Sequence, residues 1–252
     1  MIKIKDAITF KKIIESAYKL GVYVQISISP NGINLYGMNE SKTLFFKIFF
    51  SEVEFEHNLD DFESKLINIY IKDIKNQLEE ITNDDDLFLD IDEISLTFKI
   101  ISNNEDIITD SKLICLEDRL NLKEQLENLE IFIKKAEIEF MLNGETILKK
   151  LNVAKNYSDE ITLKIINNYI ILKNHSSLGN FKSKIKINYN TLNKFKNRYL
   201  CDSLINSLVF HKINNIIKMK IQEEGPIIIE TEISNDSFSI IFIAPLVGGE
   251  YN

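Results

Sequence analysis

Apolar and polar residues alternate with a period of two along most of the chain. Runs of this kind at residues 22–29, 33–37, 44–50, 66–70, 87–91, 94–101 and 107–116 predict short strands. Further runs at 136–142, 161–165, 169–173, 184–189, 215–222, 227–233 and 238–243 continue the pattern. Successive side chains of a strand point to opposite faces, so alternation buries one face and wets the other. Turn-forming clusters separate the runs: Pro30-Asn31-Gly32, Asn83-Asp84-Asp85-Asp86 and Asp92-Glu93. Asn167-Asn168 and Ser234-Asn235-Asp236 read as tight hairpin turns.

Four segments change to the helical period. In the first, residues 7–20, Phe10, Ile13, Ile14 and Ala17 fall at i, i+3, i+4 and i+7 and form one apolar stripe. Asp6 is placed to cap its start and Gly21 to end it. Lys12, Ser16 and Lys19 take the opposite face, with Lys11 beside them. The second, 71–81, carries Lys72 and Lys75 diluted by Asp73, Glu79 and Glu80. The third, 144–155, holds Lys149, Lys150 and Lys155 off its apolar stripe. The fourth, 200–210, is almost uncharged and is flanked by Lys196, Arg198 and Lys212.

The order of elements repeats. Each half reads strand, helix, a run of strands, helix, and a last group of strands, and FKKIIESA in the first half answers ILKKLNVA in the second. The period of about 120 residues is too long for a solenoid and fits two similarly built α+β domains. These are residues 1–116 and 135–252, joined by a polar connector at 117–134. The connector lacks proline and is rich in Leu, Glu and Lys, so it can run extended or coil into a short helix.

Charge sharpens the picture. The chain of 252 residues carries a net −8, with 44% apolar and 27% charged residues, a balance that suits a globular core. Residues 1–116 hold 12 Lys against 21 acidic residues, a net −9, whereas 117–252 hold 18 cations against 17 acids, a net +1. An acidic protein does not wrap nucleic acid indiscriminately, but it holds DNA where its few positive charges share one surface. Ile, Lys and Asn make up 99 of 252 residues, so part of the Lys and Asn content reflects base composition rather than function. No apolar run reaches the length of a membrane-spanning helix, roughly 18–20 residues. Residues 1–6 lack the apolar core of a signal peptide, and the two cysteines, Cys115 and Cys201, build no disulfide scaffold. A reduced intracellular setting is expected.

At the level of motifs the chain resembles the DNA sliding clamps of the proliferating cell nuclear antigen type over nearly its whole length. FKKIIESAYKL is similar to the first clamp helix with its paired lysines, and SPNGINLYGMNESKTLFFKI resembles the strand and polar loop that follow it. GPIIIETEI and SFSIIFIAPLV resemble the closing strands, with Pro226, Ala244 and Pro245 at the family spacing. The resemblance implies two clamp domains per chain, each with two helices packed on antiparallel sheets. It also implies a homotrimeric ring whose interior is lined by helices. The implied function is that of a polymerase processivity factor and recruitment platform that encircles duplex DNA without regard to sequence. Its partners would be a DNA polymerase, other proteins with clamp-binding peptides, and a separate ATP-dependent loader, in the nucleus or at a site of viral replication.

Three groups of candidate residues follow. The resemblance implies a DNA-facing set at Lys11, Lys12, Lys19, Lys72, Lys75, Lys149, Lys150, Lys155 and Lys212, on or beside the helices, where lysines can meet phosphates. The resemblance implies a partner-peptide pocket at Met38, Lys42, Thr43, Phe45, Leu126, Leu129, Pro226, Phe242, Ala244 and Pro245. A subunit interface is implied between the strand 107–116 (Ile107, Lys112, Ile114) and the strand 181–189. In the second strand, Lys182, Lys184 and Lys186 alternate with Ile185 and Ile187. An ordinary solvated helix face and an ordinary strand core are the competing readings of the first two groups.

No enzymatic chemistry is expected. His57, His175 and His211 are scattered, the cysteines carry no nucleophile motif, and Gly248-Gly249 lacks the context of a phosphate loop. The Asp84-Asp85-Asp86 run lacks an EF-hand pattern and reads as a solvated turn, so neither a metal nor a cofactor is expected. The alternatives are a checkpoint-type or viral clamp-like heterotrimer subunit, a monomeric polymerase accessory factor, and a small-molecule enzyme of α+β fold.

Overall fold

The computed structural model describes residues 1–56, 65–92, 94–102, 107–116, 121–177, 179–223, 225–234 and 236–246, without the side chains of 190–193. His57, Glu93 and Asn235, and the glycines at 248 and 249, lie outside the described residues. The chain folds as two compact units. The first comprises Met1–Lys42, Phe46–Leu126 and Glu232–Ser239; the second comprises Thr43–Phe45, Glu127–Thr231 and Ile240–Asn252.

In the first unit the chain runs β1 (Ile2–Ile4), α1 (Ala7–Tyr18), β2 (Tyr23–Ser29), β3 (Gly32–Met38), β4 (Leu44–Ser51), β5 (Lys65–Tyr70) and α2 (Ile71–Gln77). It continues through β6 (Asp85–Ile91), β7 (Ser95–Ser102) and β8 (Ile107–Ile114). One antiparallel sheet has the order β1-β6-β7-β8, and β5-β2-β3-β4 follow one another in another. Ser29 pairs with Gly32, so Pro30-Asn31 forms a two-residue hairpin loop. Gly32 has φ +141°, and a Cβ there would also strike the Phe50 carbonyl oxygen. Helices α1 and α2 pack against each other.

Along the rest of the chain come α3 (Leu122–Lys134), β9 (Ile138–Asn143), α4 (Gly144–Lys155), β10 (Glu160–Ser176), β11 (Gly179–Leu200), α5 (Cys201–Ser207), β12 (Ile216–Ile221), β13 (Ile227–Ser234) and β14 (Ser237–Ile243). Within the second unit β14-β13-β12-β9 are successive strands, and β10 pairs with β11 as a long two-stranded arm. Helix α4 packs against α5 and against β10. The architecture is α+β with antiparallel sheets, as the periodicities require.

Three features depart from the sequence reading. Asn167-Asn168 is not a hairpin turn. Strand β10 continues through it, with Asn167 at φ +55° in a bulge where the register with β11 shifts. Asn tolerates that left-handed conformation, which is why the pair mimics a turn signal. The strand over 194–200 was not anticipated; Ile161↔Tyr199 and Ile165↔Phe195 anchor it, with all four side chains buried. The connector contains the helix α3, which buries Leu122 and Leu126 and donates the Lys123 N–H to Gln25 Oε1 at 2.8 Å.

Packing is tight where β3 lies beside β4. A Cβ on Gly37 would lie 2.1 Å from the ring of Phe46, which has no exposed surface. Gly37→Ala should therefore cost about 1–3 kcal/mol through overpacking, read as a lower urea midpoint with unchanged slope.

Candidate nucleic-acid and partner surfaces

The lysine positions are set by how α1 and α4 begin. The Asp6 carboxylate accepts the Thr9 N–H at 2.8 Å, and the Asn143 side-chain oxygen accepts the Thr146 N–H at 2.8 Å. Burial of Phe10, Ile13, Ile14 and Ala17 in α1, and of Ile147, Leu151 and Ala154 in α4, then turns the opposite faces outward.

The nine candidate lysines divide into two classes. Lys11 is half-buried, and its ammonium donates to the carbonyls of Glu79 at 2.5 Å and Ile81 at 3.1 Å, just beyond α2. It ties α1 to that neighbouring segment. Lys75 pairs with Glu79 at 2.5 Å and lies over the Tyr18 ring at 5.8 Å. Lys149 pairs with Glu145 at 2.6 Å, and Lys155 pairs with Asp202. Hydrogen bonding to Glu79 and to Asp202 raises the pKa of Lys75 and of Lys155, respectively. Exposed pairs of this kind contribute little to stability, but they reduce the charge offered to a phosphate. Lys12, Lys19, Lys72, Lys150 and Lys212 are exposed and make no ion pair among the described residues. Lys12 shares a polar groove with Lys5 and with Asp84, Asp85 and Asp86.

Met38, Leu126 and Phe242 are corrected as walls of a peptide pocket. They are 8%, 1% and 2% exposed and belong to the core. Lys42 is exposed at φ +56°, while Thr43, Phe45, Leu129, Pro226, Ala244 and Pro245 are half-buried. In the second unit the segments around Thr43 and Ala244 run side by side. The Ala244 N–H donates to the Thr43 carbonyl at 2.8 Å, and the Thr43 and Ser203 hydroxyls are 3.3 Å apart.

Strand β8 ends its sheet, and its side chains are open on both faces. Ile107 and Ile114 are exposed, as is Ile108, which sequence reasoning missed. Ile114 is 79% exposed. Lys112 pairs with Asp92 at 3.2 Å. That carboxyl is held well below the usual range by the Ser95 hydroxyl, the Ile94 N–H and Lys112. On β11, Lys182, Lys184 and Lys186 are exposed and Ile185 is half-buried. Ile187 is 3% exposed, a core residue, and is corrected as an interface residue.

Other features missed in the sequence are aromatic. Tyr18 and Tyr70, with Lys19 and Lys72, line a cavity of about 530 Å³ at the end of α1. Periodicity flags such residues only as interruptions of a polar face. Cys201 is buried, and desolvation, with Asp202 and Asp159 adding, pushes its thiol up to about 11, so it is held neutral. His211 Nδ1 lies 2.6 Å from the Leu208 carbonyl. Among the described residues no three His, Cys, Asp or Glu side chains converge as metal ligands, and no helix is long and apolar enough to cross a membrane.

No family model matches the chain, and no curated protein matches it in sequence. Among solved structures it is similar to the proliferating cellular nuclear antigen of Entamoeba histolytica, with a TM-score of 0.79 at 15% identity. The match covers 97% of this chain and 98% of that one. The chain therefore has the fold of a PCNA-type sliding clamp, with both units included.

The two lysine classes separate by stability. Lys11→Met should lower unfolding free energy by about 1 kcal/mol through the lost hydrogen bonds. Lys12→Met should stay within about 0.5 kcal/mol of wild type, and urea denaturation of the pair measures the difference.

Proposed function

We propose that this protein is a non-enzymatic DNA sliding clamp. It encircles duplex DNA as a homotrimer, tethers a polymerase and recruits replication and repair proteins, and a separate ATP-driven loader places it on DNA. Residues 1–116 and 135–252 act as its two clamp domains, in a nucleus or at a viral replication site. The observation that supports this reading is the likeness of fold along the whole of both chains. The capped helices α1 and α4 add to it, presenting Lys12 and Lys150, which make no ion pair among the described residues and suit sequence-independent phosphate contact.

Lys12, Lys19, Lys72, Lys150 and Lys212 carry the phosphate contacts, with Lys75, Lys149 and Lys155 contributing less because each shares its charge with a carboxylate. Partner peptides dock on the second unit along Thr43, Phe45, Leu129, Pro226, Ala244 and Pro245. The ring closes head to tail, which requires two different complementary edges on each subunit. Here β8, with Ile107, Ile108 and Ile114, meets the edge of β11 near Ile185. Exposed edge strands of this kind invite pairing with another chain.

Sedimentation velocity tests closure. Wild type should run as a trimer of about 88 kDa, three times the 29.3 kDa chain, and Ile107→Asp with Ile114→Asp should run as a monomer. A wild-type monomer would rule out the self-closing ring. On loaded circular DNA, changing Lys12, Lys19, Lys72 and Lys150 together to Glu should cut processive synthesis about tenfold or more without unfolding the protein. Undiminished synthesis would remove these lysines from the DNA-facing surface.

A further inference from the structure

The arm formed by β10 and β11 is charged unlike the rest of the chain. Residues 160–200 contain seven Lys and one Arg against a single carboxylate, Glu160, so they carry +7 in a chain of net −8. The remaining residues therefore hold −15.

Register places much of this charge on one face. The pairs Tyr169↔Lys186, Ile171↔Lys184 and Lys173↔Lys182 put Tyr169, Lys173, Lys182, Lys184 and Lys186 on the same side of the arm, around a buried Ile171. The intervening pairs Ile170↔Ile185, Leu172↔Ser183 and Asn174↔Phe181 take the other side, toward α4. There Asn174 Nδ2 donates to the Ala154 carbonyl at 2.7 Å, and Phe181 lies 6.1 Å from the Tyr157 ring. The lysine face is thus directed away from α4 within its own unit.

Among the described residues no carboxylate pairs with this face. Lys182, Lys184 and Lys186 are exposed, Lys173 is half-buried, and none of the four makes an ion pair among the described residues. Lys173 stands directly opposite Lys182, and like charges in that position destabilise a sheet. Lysines guard an edge strand against aggregation, and four on one face also concentrate positive charge there. Lysines two residues apart on β11 repeat every ~6.6 Å and cover ~13 Å from Lys182 to Lys186. Beside them Tyr169 offers a partly exposed ring, with the Lys184 ammonium 6.0 Å from its centre.

We propose that this face of the β10–β11 arm binds the phosphate backbone of a nucleic-acid segment, separately from the lysines of α1 and α4. A regular row of point charges without a rigid fork suits evenly spaced phosphates and a contact free to shift along them. Edge pairing of β11 uses backbone groups in the plane of the sheet, whereas the lysines stand perpendicular to it, so the face stays available in a closed ring. The inference does not depend on ring closure.

Fluorescence anisotropy with short linear oligonucleotides, one single-stranded and one duplex, tests it, because open ends remove any topological retention. The triple variant Lys182→Gln, Lys184→Gln, Lys186→Gln should melt like wild type yet bind at least one oligonucleotide about tenfold more weakly at low salt. Its slope of log K against log salt should fall by about 2. The control Lys134→Gln with Lys135→Gln, at exposed lysines outside both sets, should bind like wild type. The helix-face assignment is read separately from processive synthesis on loaded circular DNA, so the two failures are told apart. Wild-type affinity and slope in the hairpin variant would overturn the proposal. So would a polyglutamate peptide that binds as tightly as the oligonucleotides, or a loss of binding that only follows a sedimentation shift to monomer.

Discussion

A side-chain oxygen that accepts a backbone N–H three residues on sets the start of the leading helix in each unit. Asp6 does this for α1 and Asn143 for α4, each at 2.8 Å. A cap fixes where helical dihedrals begin, and hence the rotational phase of every residue that follows. In α1 that phase buries Phe10, Ile13, Ile14 and Ala17 and turns Lys12 and Lys19 out. It brings Lys11, one position earlier than Lys12, beside the chain that follows α2. Two adjacent lysines with the same chemistry thereby acquire different roles. The same logic in α4 buries Leu151 and leaves its neighbour Lys150 exposed.

An acidic chain with this arrangement holds a polyanion only through local excess of charge. The helix faces supply a modest excess, because Glu79, Glu145 and Asp202 each occupy a lysine that would otherwise be free. For the proposed tether such weak, non-directional contacts are favourable, since phosphates carry no sequence information and a deep electrostatic well would hold the protein in place. The β10–β11 arm is the exception: Lys173, Lys182, Lys184 and Lys186 share one face, and among the described residues none of them pairs with a carboxylate.

Most of the architecture was legible because burial follows the two periods of the backbone. The helix over 144–155 is observed at those limits, and β2 through β8 lie within a few residues of the alternating runs. Strand β1 is only three residues long, too short for a period to register. The peptide pocket was less legible. Met38, Leu126 and Phe242 have the apolar character a docking surface wants, but apolar character alone does not distinguish a wall open to solvent from a filled core. Lys11 was opaque for another reason: its carbonyl partners lie 68 and 70 residues away, and no local pattern encodes them.

The arm shows how one strand presents two chemistries without conflict. In a sheet, backbone hydrogen bonds lie in the plane and side chains lie normal to it. A strand such as β11 therefore has an edge, defined by unpaired backbone groups, and two faces, defined by alternate side chains. One face of β11 is committed to the core of its unit, with Phe181 against the Tyr157 ring just beyond α4 and Ile187 buried. Anchoring it rigidly is what allows the opposite face to keep Lys173 and Lys182 opposed despite their repulsion, because the cost falls on a strand whose other side is already held. A mobile loop would relax that repulsion by moving the lysines apart, whereas a paired and packed strand preserves their spacing and so keeps a fixed array of charge.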